Sequence, residues 1–499
     1  MFQKFNQLPL LKTIILWVAL SIIAYTLLSA IWGQGHGWGR ILAGWHINTT
    51  QEPLDRIKVT LTALGGVGAV VYLVIRYREH SALERGKADE KLVLAVRQLG
   101  DTSPQVRIAG VYALADIADT YEGPYHQRVV DILCGYLRTN RLLKDRNGQV
   151  RYATSENGTP DYSRPLSEDN AVESAVLSTL AVHLKSTYKS NRKKITPGPW
   201  SNCAINLQDA VLTEPFDLSN SYICNLNIVN TKFVQRLSLE SSYFAEALNL
   251  DGTTFISGVN FESATLTQLH NIEKAKVNRI INFRNATFLH GISLKSTKTV
   301  APLIFRSATF KKDVNFIDVT SAERVDFWGA TFEQEVNFTD STFESDVIFK
   351  FATFENSAKF RKIEFQQDSD FGSATFLNCV AFKSTHFKQS ADFSDATFYN
   401  DTYFIRVYFE KGGSFWGAHF NRSVDFNSSA FLDAPMFDKA KFSKPPGFAN
   451  TLFDTAMLPL IMPIGLPAST TLSSTGLPHG GRWVTLNQSC KTLSPLMSR

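Results

Sequence analysis

Cysteine and charge are both scarce in this 499-residue chain, which has five cysteines and only 19% charged residues. The cysteines (Cys134, Cys203, Cys224, Cys379 and Cys490) are scattered, odd in number and never spaced as CxxC. That excludes a disulfide framework and fits packing thiols in a reducing compartment. Catalytic signatures are missing as well. There is no HExxH, no GK[ST] phosphate loop, no GxSxG, and no dinucleotide-type glycine set following a strand. The ten histidines lack metal-ligand spacing. No catalytic residue, cofactor or metal ligand is expected, and no small-molecule substrate. A net charge of +5 is too mild to imply nucleic acid.

What the chain has in excess is phenylalanine, 37 residues against 15 Tyr and 8 Trp. One aromatic used so often points to a single packing solution repeated many times. The charge is also unevenly placed. Residues 201–453 hold 24 Lys/Arg and 28 Asp/Glu, net −4, so the remainder carries +9.

Residues 1–80 read as a membrane anchor. Residues 13–32 form a run of 20 without a charge, enough for a helix to span a hydrocarbon core of about 30 Å. A second span is expected over 59–77, where Lys58 and Arg76 can snorkel at either end. The Leu64-Gly65-Gly66-Val67-Gly68-Ala69 stretch either packs closely against a neighbouring helix or has no specific role. The first run exceeds a signal-peptide core, and a second span follows it, so an anchor fits better than a cleaved leader. Six Lys/Arg lie between Arg76 and Arg97, three in residues 34–58 and two before the first span. That asymmetry puts both termini in the cytoplasm and the protein in the plasma membrane. The string from Gly33 to Gly39 follows no strand and reads as an interfacial turn.

Residues 81–138 read as helices. Ser103-Pro104 is a start signal, and Val106, Gly110, Ala113, Leu114 and Ile117 recur at helical spacing. The helix pair within 103–137 resembles a HEAT-type unit. Residues 139–166 read as a polar linker. Within 167–200, Ser167 is expected to cap a helix with Val172, Val176, Leu180 and Leu184 on one face. Its basic end, Lys185 to Lys194, is either solvated or apposed to anionic lipid.

From Phe305 to Phe453 a spacing of five, six, five, six holds throughout: 27 of 28 lattice positions are Phe, and the exception is Ser321. Phe351 is the only Phe off the lattice in that stretch. Two residues before each Phe stands a slim residue, such as Ala330, Ala352, Val336 or Ala358. An 11-residue helical repeat would leave Thr, Asn, Asp, Ser and Gly in helix interiors, where they are poor formers. A strand requires period two. Spacing five instead puts one inward residue on each short side of a winding solenoid. Earlier, at Leu207, Leu212, Leu218, Ile223, Ile228 and Phe233, the spacing is mostly five.

This pattern resembles the pentapeptide-repeat family, in which a central Leu or Phe follows a small residue two positions earlier. The segment at 205–212 matches its Leu type, and the ATF…NF elevens match a Phe-rich variant. The helical segments are similar to those preceding such repeats in two-pass actinobacterial members. The resemblance implies a right-handed quadrilateral β-helix over 201–453, with about 11 coils of 22 residues at the ~4.8 Å strand spacing. The expected whole is therefore two transmembrane helices, a HEAT-like α-helical segment, the pentapeptide-repeat solenoid, and a C-terminal cap or disordered tail over 454–499.

Among outward residues, Trp328 and Trp416 share a phase 88 residues apart, four coils on one face. They either anchor a partner or cover a neighbouring coil. Tyr399, Tyr403 and Tyr408 are weaker candidates. The expected function is a membrane-tethered protein-interaction scaffold, with self-association open. The alternative, by family analogy, is a DNA mimic that inhibits a topoisomerase or another DNA-binding protein.

Overall fold

The computed structural model describes residues 19, 22–23, 53–189, 194–454 and 477–484. The chain divides into two compact units, Met1–Leu94 and Ala95–Arg499. Helix α1 runs over Pro53–Leu99. The expected first span, 13–32, lies almost wholly outside the described residues, and the expected second, 59–77, falls within α1. Among the described residues no helix is long and apolar enough to cross a membrane.

In the second unit, α2 (Pro104–Tyr121) starts at Ser103 with Pro at its first position, where a missing N–H costs nothing. It packs against α3 (Pro124–Leu137) and α4 (Asn170–Leu184). The stretch expected as a linker, 139–166, is instead folded. Tyr152–Thr154 pairs antiparallel with Pro160–Pro165, closed by a turn at Gly158 with φ 76. Its ladder satisfies backbone groups that polarity alone had suggested were solvated. Ser167 does not cap α4: the N-cap position is Asp169, and the Ser167 hydroxyl accepts from the Asp169 N–H and donates to Arg141 O.

These helices close the first edge of a β-solenoid. Gln127 on α3 accepts from Ala204 N at 2.8 Å and donates to Ala204 O at 3.0 Å, replacing the strand that is missing there. Glu173 on α4 is fully buried and pairs with Arg141. It also accepts from the Thr213 and Glu214 N–H groups at 2.6 and 3.0 Å. Arg141 reaches Leu137 O and Val211 O. This buried pair therefore bridges the helices and the first coil.

The solenoid is parallel throughout, with about 11 turns. One coil shows the pattern: Thr342–Phe343 on face one, Val347–Ile348 on face two, Thr353–Phe354 on face three and Ala358–Arg361 on face four. Each strand pairs in register with one 22 residues on, as Phe343 with Phe365 and Val347 with Ser369. The first coil is one residue short, pairing Val211 with Lys232 and Phe216 with Leu237. At the other end Arg482–Val484 adds in parallel to Leu452–Asp454, so part of the expected tail joins face one.

The lattice side chains fill the interior. Of the 27 lattice Phe, 26 are buried and Phe442 is half-buried. Rings 22 residues apart stack nearly flat, as Phe354 on Phe376 at 4.6 Å and 3°. Columns from faces two and four meet edge to face, as Phe371 with Phe382 at 5.4 Å and 88°. Both arrangements suit the ring quadrupole. A left-handed residue recurs every eleven, for example Asp340, Phe351, Lys362, Ser373, Ser384 and Asp395. The slim residue after it turns inward. Where that residue is polar, its hydroxyl usually reaches back one coil: Ser341, Thr385 and Ser429 donate to Phe316 O, Phe360 O and Phe404 O, whereas the buried Ser221 hydroxyl in the first coil has no partner among the described residues.

Face one contains a fault. Its inward column reads Phe255, Val277, Thr299, Ser321, Phe343, so the ring stack lapses for three coils. There Asn271 takes the left-handed conformation ahead of a 3₁₀ turn at Ile272–Lys274. Lys276–Val277 ends a four-stranded sheet, and the ladder resumes at Ile292–Thr299. A cavity of about 30 Å³ opens beside Ile272, Val277, Leu294 and Thr299.

Two outcomes are expected. Glu173→Ala leaves Arg141 buried without its counter-charge and lowers unfolding stability by about 3–5 kcal/mol, read as an earlier denaturation midpoint. An unmoved midpoint would mean the helices add nothing to the solenoid's stability. In native-state hydrogen exchange, amides of 272–300 exchange faster than those of 340–420. Equal protection would show that the ring stack is not what holds the coils closed.

Candidate functional site

Residues two positions apart on a strand face the same way, so each face presents outward columns with one residue per coil. On face two, one such column contains Ile304, Asp326, Ile348, Asp370 and Asp392, paired in register from strand to strand. Two residues further on stand Arg284, Arg306, Trp328, Lys350, Gly372, Ser394 and Trp416. Trp328 and Trp416 therefore sit in one column, four coils and about 19 Å apart by the strand spacing. In each FWGA the glycine after Trp is the left-handed residue, with φ 63 at Gly329 and 64 at Gly417. At Gly417 a Cβ would lie 2.3 Å from Asp395 Oδ1.

The surroundings of the two tryptophans differ. Trp328 is 39% exposed and meets Phe351 edge-on at 5.6 Å. The Arg306 guanidinium lies 5.9 Å from its ring centre. Trp416 is half-buried under Lys439, whose ammonium stands 4.6 Å from the ring. The tyrosines do not join them. Tyr399 follows a face-three strand, Tyr403 lies on face four and Tyr408 on face one.

Beside Trp328 an open groove of about 360 Å³ is lined by Arg284, Arg306, Arg324, Asp326 and Glu262, with Ile280 and Ile304 between them. Asp326 organises it. The carboxylate is almost fully buried, accepting from Arg306 Nε at 2.7 Å and from an Arg324 guanidinium nitrogen at 2.9 Å. Its other oxygen accepts the Trp328 N–H at 3.1 Å. One buried anion thus holds two half-exposed guanidinium groups and fixes the backbone beneath the tryptophan. Further along the face, burial raises the Asp370 carboxyl above its ordinary range, with Lys350 opposing that shift at 3.8 Å.

Sequence reasoning singled out Trp328 and Trp416 but not the arginines or Asp326. The signal was available in part, because Arg284 and Arg306 share the 22-residue phase of Trp328. Phe351 was visible as the one off-lattice Phe. It is 48% exposed and holds φ 58, a conformation that costs a bulky side chain strain.

Cys134 and Cys203 are packing thiols in the core. Burial pushes Cys134 up to about 12 and Cys203 to about 11, far from the thiolate form. Among the described residues, no group of three His, Cys, Asp or Glu could hold a metal ion.

A family model described as pentapeptide repeats (9 copies) matches residues 302–342 and 382–430. These stretches contain Arg306, Arg324, Asp326, Trp328 and Trp416. No curated protein and no solved structure matches the chain. Over 302–342 and 382–430 the solenoid carries pentapeptide repeats.

Asp326→Asn should release both guanidinium groups from the groove. The expected result is a red shift of Trp328 emission, isolated by subtracting the corresponding Trp328→Phe spectra, and a stability loss of about 1–3 kcal/mol. An unchanged difference spectrum would show that Asp326 does not position the cluster.

Proposed function

We propose that this pentapeptide-repeat solenoid is a protein-interaction scaffold, tethered to the plasma membrane by spans at 13–32 and 59–77 with both termini cytoplasmic. The observation that carries the binding role is the Arg306–Trp328–Phe351 cluster on face two. Three rigidly spaced side chains of the types that dominate interface energetics are exposed there over a buried anchoring carboxylate. A stacked solenoid holds such a surface with little conformational entropy left to lose. Tethering is supported by the uncharged run at 13–32 and by the six Lys/Arg between Arg76 and Arg97. The role read from the cluster is binding, because a guanidinium and two aromatic rings supply contact surface and no nucleophile or base.

DNA mimicry is the weaker reading. It calls for a strongly negative face, whereas the repeat is net −4 and face two has arginines at its centre. An isolated effect on DNA supercoiling would be its mark.

The test compares partners recovered from native membranes in gentle detergent, wild type against the Trp328→Ala/Trp416→Ala double variant, by quantitative mass spectrometry. A protein bound through this face should be depleted roughly thirtyfold, as loss of about 2 kcal/mol at one interface tryptophan implies. Recovery of no partner by the wild type would remove the scaffold reading, and an identical partner set would remove this face from it.

A further inference from the structure

We propose that face two is self-complementary and that two copies of this chain pair through it, antiparallel, about a two-fold axis beside Trp328 and Phe351. This rests on the reading of the face as protein-binding and names the occupant as a second copy.

The argument lies in the order of residues along the solenoid. Number the coils from Arg284 as zero. Arg306 is then on coil one, Trp328 on two, Phe351 on three, Asp370 on four and Asp392 on five. The face is basic on one side of the aromatic pair and acidic on the other. At the level between Trp328 and Phe351, a point midway between the arginine column and the aspartate column lies one and a half coils along the solenoid from Arg306 and from Asp370, about 7 Å each way at the strand spacing. Arg284 and Asp392 each lie two and a half coils away, about 12 Å. Rotating a second copy by half a turn about that point lays each arginine over an aspartate of the other copy. An isologous contact needs this kind of self-matching surface.

Two further observations single out a second copy. Among the described residues neither Arg284 nor Asp392 has an ion-pair partner, and they occupy symmetric places, so the rotation supplies each with the other. A uniformly acidic partner would satisfy one end of the face and repel the other. Second, among the described left-handed corner residues Phe351 is the only aromatic, and it remains exposed. Asn285, three coils earlier in the same column, holds the same conformation with the residue type best suited to it. An exposed aromatic kept at backbone cost beside the symmetry axis would be covered by its copy. The charged contacts are surface pairs, so the association is concentration-dependent and weakens as added salt shortens the Debye length.

The experiment measures self-association of the full chain in detergent by sedimentation equilibrium, with Arg284→Asp, Asp392→Arg, their mixture, the double variant and Phe351→Asn. Each single reversal should weaken the pair by roughly tenfold or more, because like charges then meet at both symmetric contacts. Mixing the two reversed chains, or combining both changes in one chain, should restore it. Phe351→Asn should weaken pairing while leaving the melting temperature at or above that of wild type, which separates loss of contact from loss of fold. A chain that stays monomeric, or an association that the reversals do not move or the mixture does not rescue, overturns the proposal. If self-pairing fails yet another protein is lost with Trp328→Ala/Trp416→Ala, the scaffold reading stands without it. If self-pairing holds and no other protein is recovered, the face serves only its own copy.

Discussion

Everything outside the solenoid core is arranged around one constraint: four short sides enclose a channel that admits one large side chain from each side per coil. Phe satisfies it twice over. Its flat face stacks on the ring one coil on, at a separation close to the strand spacing, and its edge meets the opposing column, as Phe349 does with Phe371 and Phe360. Each buried ring adds on the order of 1.5–3 kcal/mol from its area, and pairs add about 0.5–1.5 more. The corners must then be slim. Ala fills some, and Ser or Thr fills others, with a carbonyl of the preceding coil receiving the hydroxyl at Ser341, Thr385 and Ser429. The left-handed residue every eleven is the backbone side of the same constraint, since two right-angle turns separate successive positive-φ positions.

Where the constraint is relaxed the fold shows it. Val277, Thr299 and Ser321 are too small to continue the face-one stack, and that is where the ladder divides and a cavity opens. Ser321 also shows how a polar lattice residue is tolerated, because its hydroxyl accepts from Thr299 and donates to Glu323 O. The stack is thus a sum of neighbour terms, and its weakest neighbours define its weakest coil.

The repeat was legible in the sequence because its period is itself a packing rule: spacing five and six at Phe can be read without coordinates. Helix α2 was legible from Ser103-Pro104. The 152–165 ladder was not, since Tyr152, Tyr162 and their polar neighbours carry no alternation that distinguishes a hairpin from a linker. The Ser167 cap failed because two residues able to cap a helix, Ser167 and Asp169, stand close together and the chain starts the helix after Asp169. For the candidate site, the Trp column followed from 22-residue arithmetic, and the same arithmetic reaches Arg284 and Arg306. Arg324 and Asp326 escape it, because their convergence depends on a carboxylate buried on the outside of a face, which periodicity assigns to solvent.

The clearest mark of function is where local preference and global position disagree. Most left-handed corners carry Asn, Asp, Ser or Gly, or a solvated Lys or Arg, all of which the corner tolerates. Phe351 alone carries a large apolar side chain there, and the interior gains nothing from it. Its neighbour Trp328 is likewise outward, although tryptophan would find more apolar contact inside. Arg306 and Lys350 lie against these rings at 5.9 Å, so the aromatics are dressed with cations rather than buried. A surface built only for solubility would place small polar residues at these four positions. The strain and exposure concentrated at 328–351 are intelligible if that surface is completed by another molecule, and the acidic residues two and three coils further along make a second copy of the same face its natural complement.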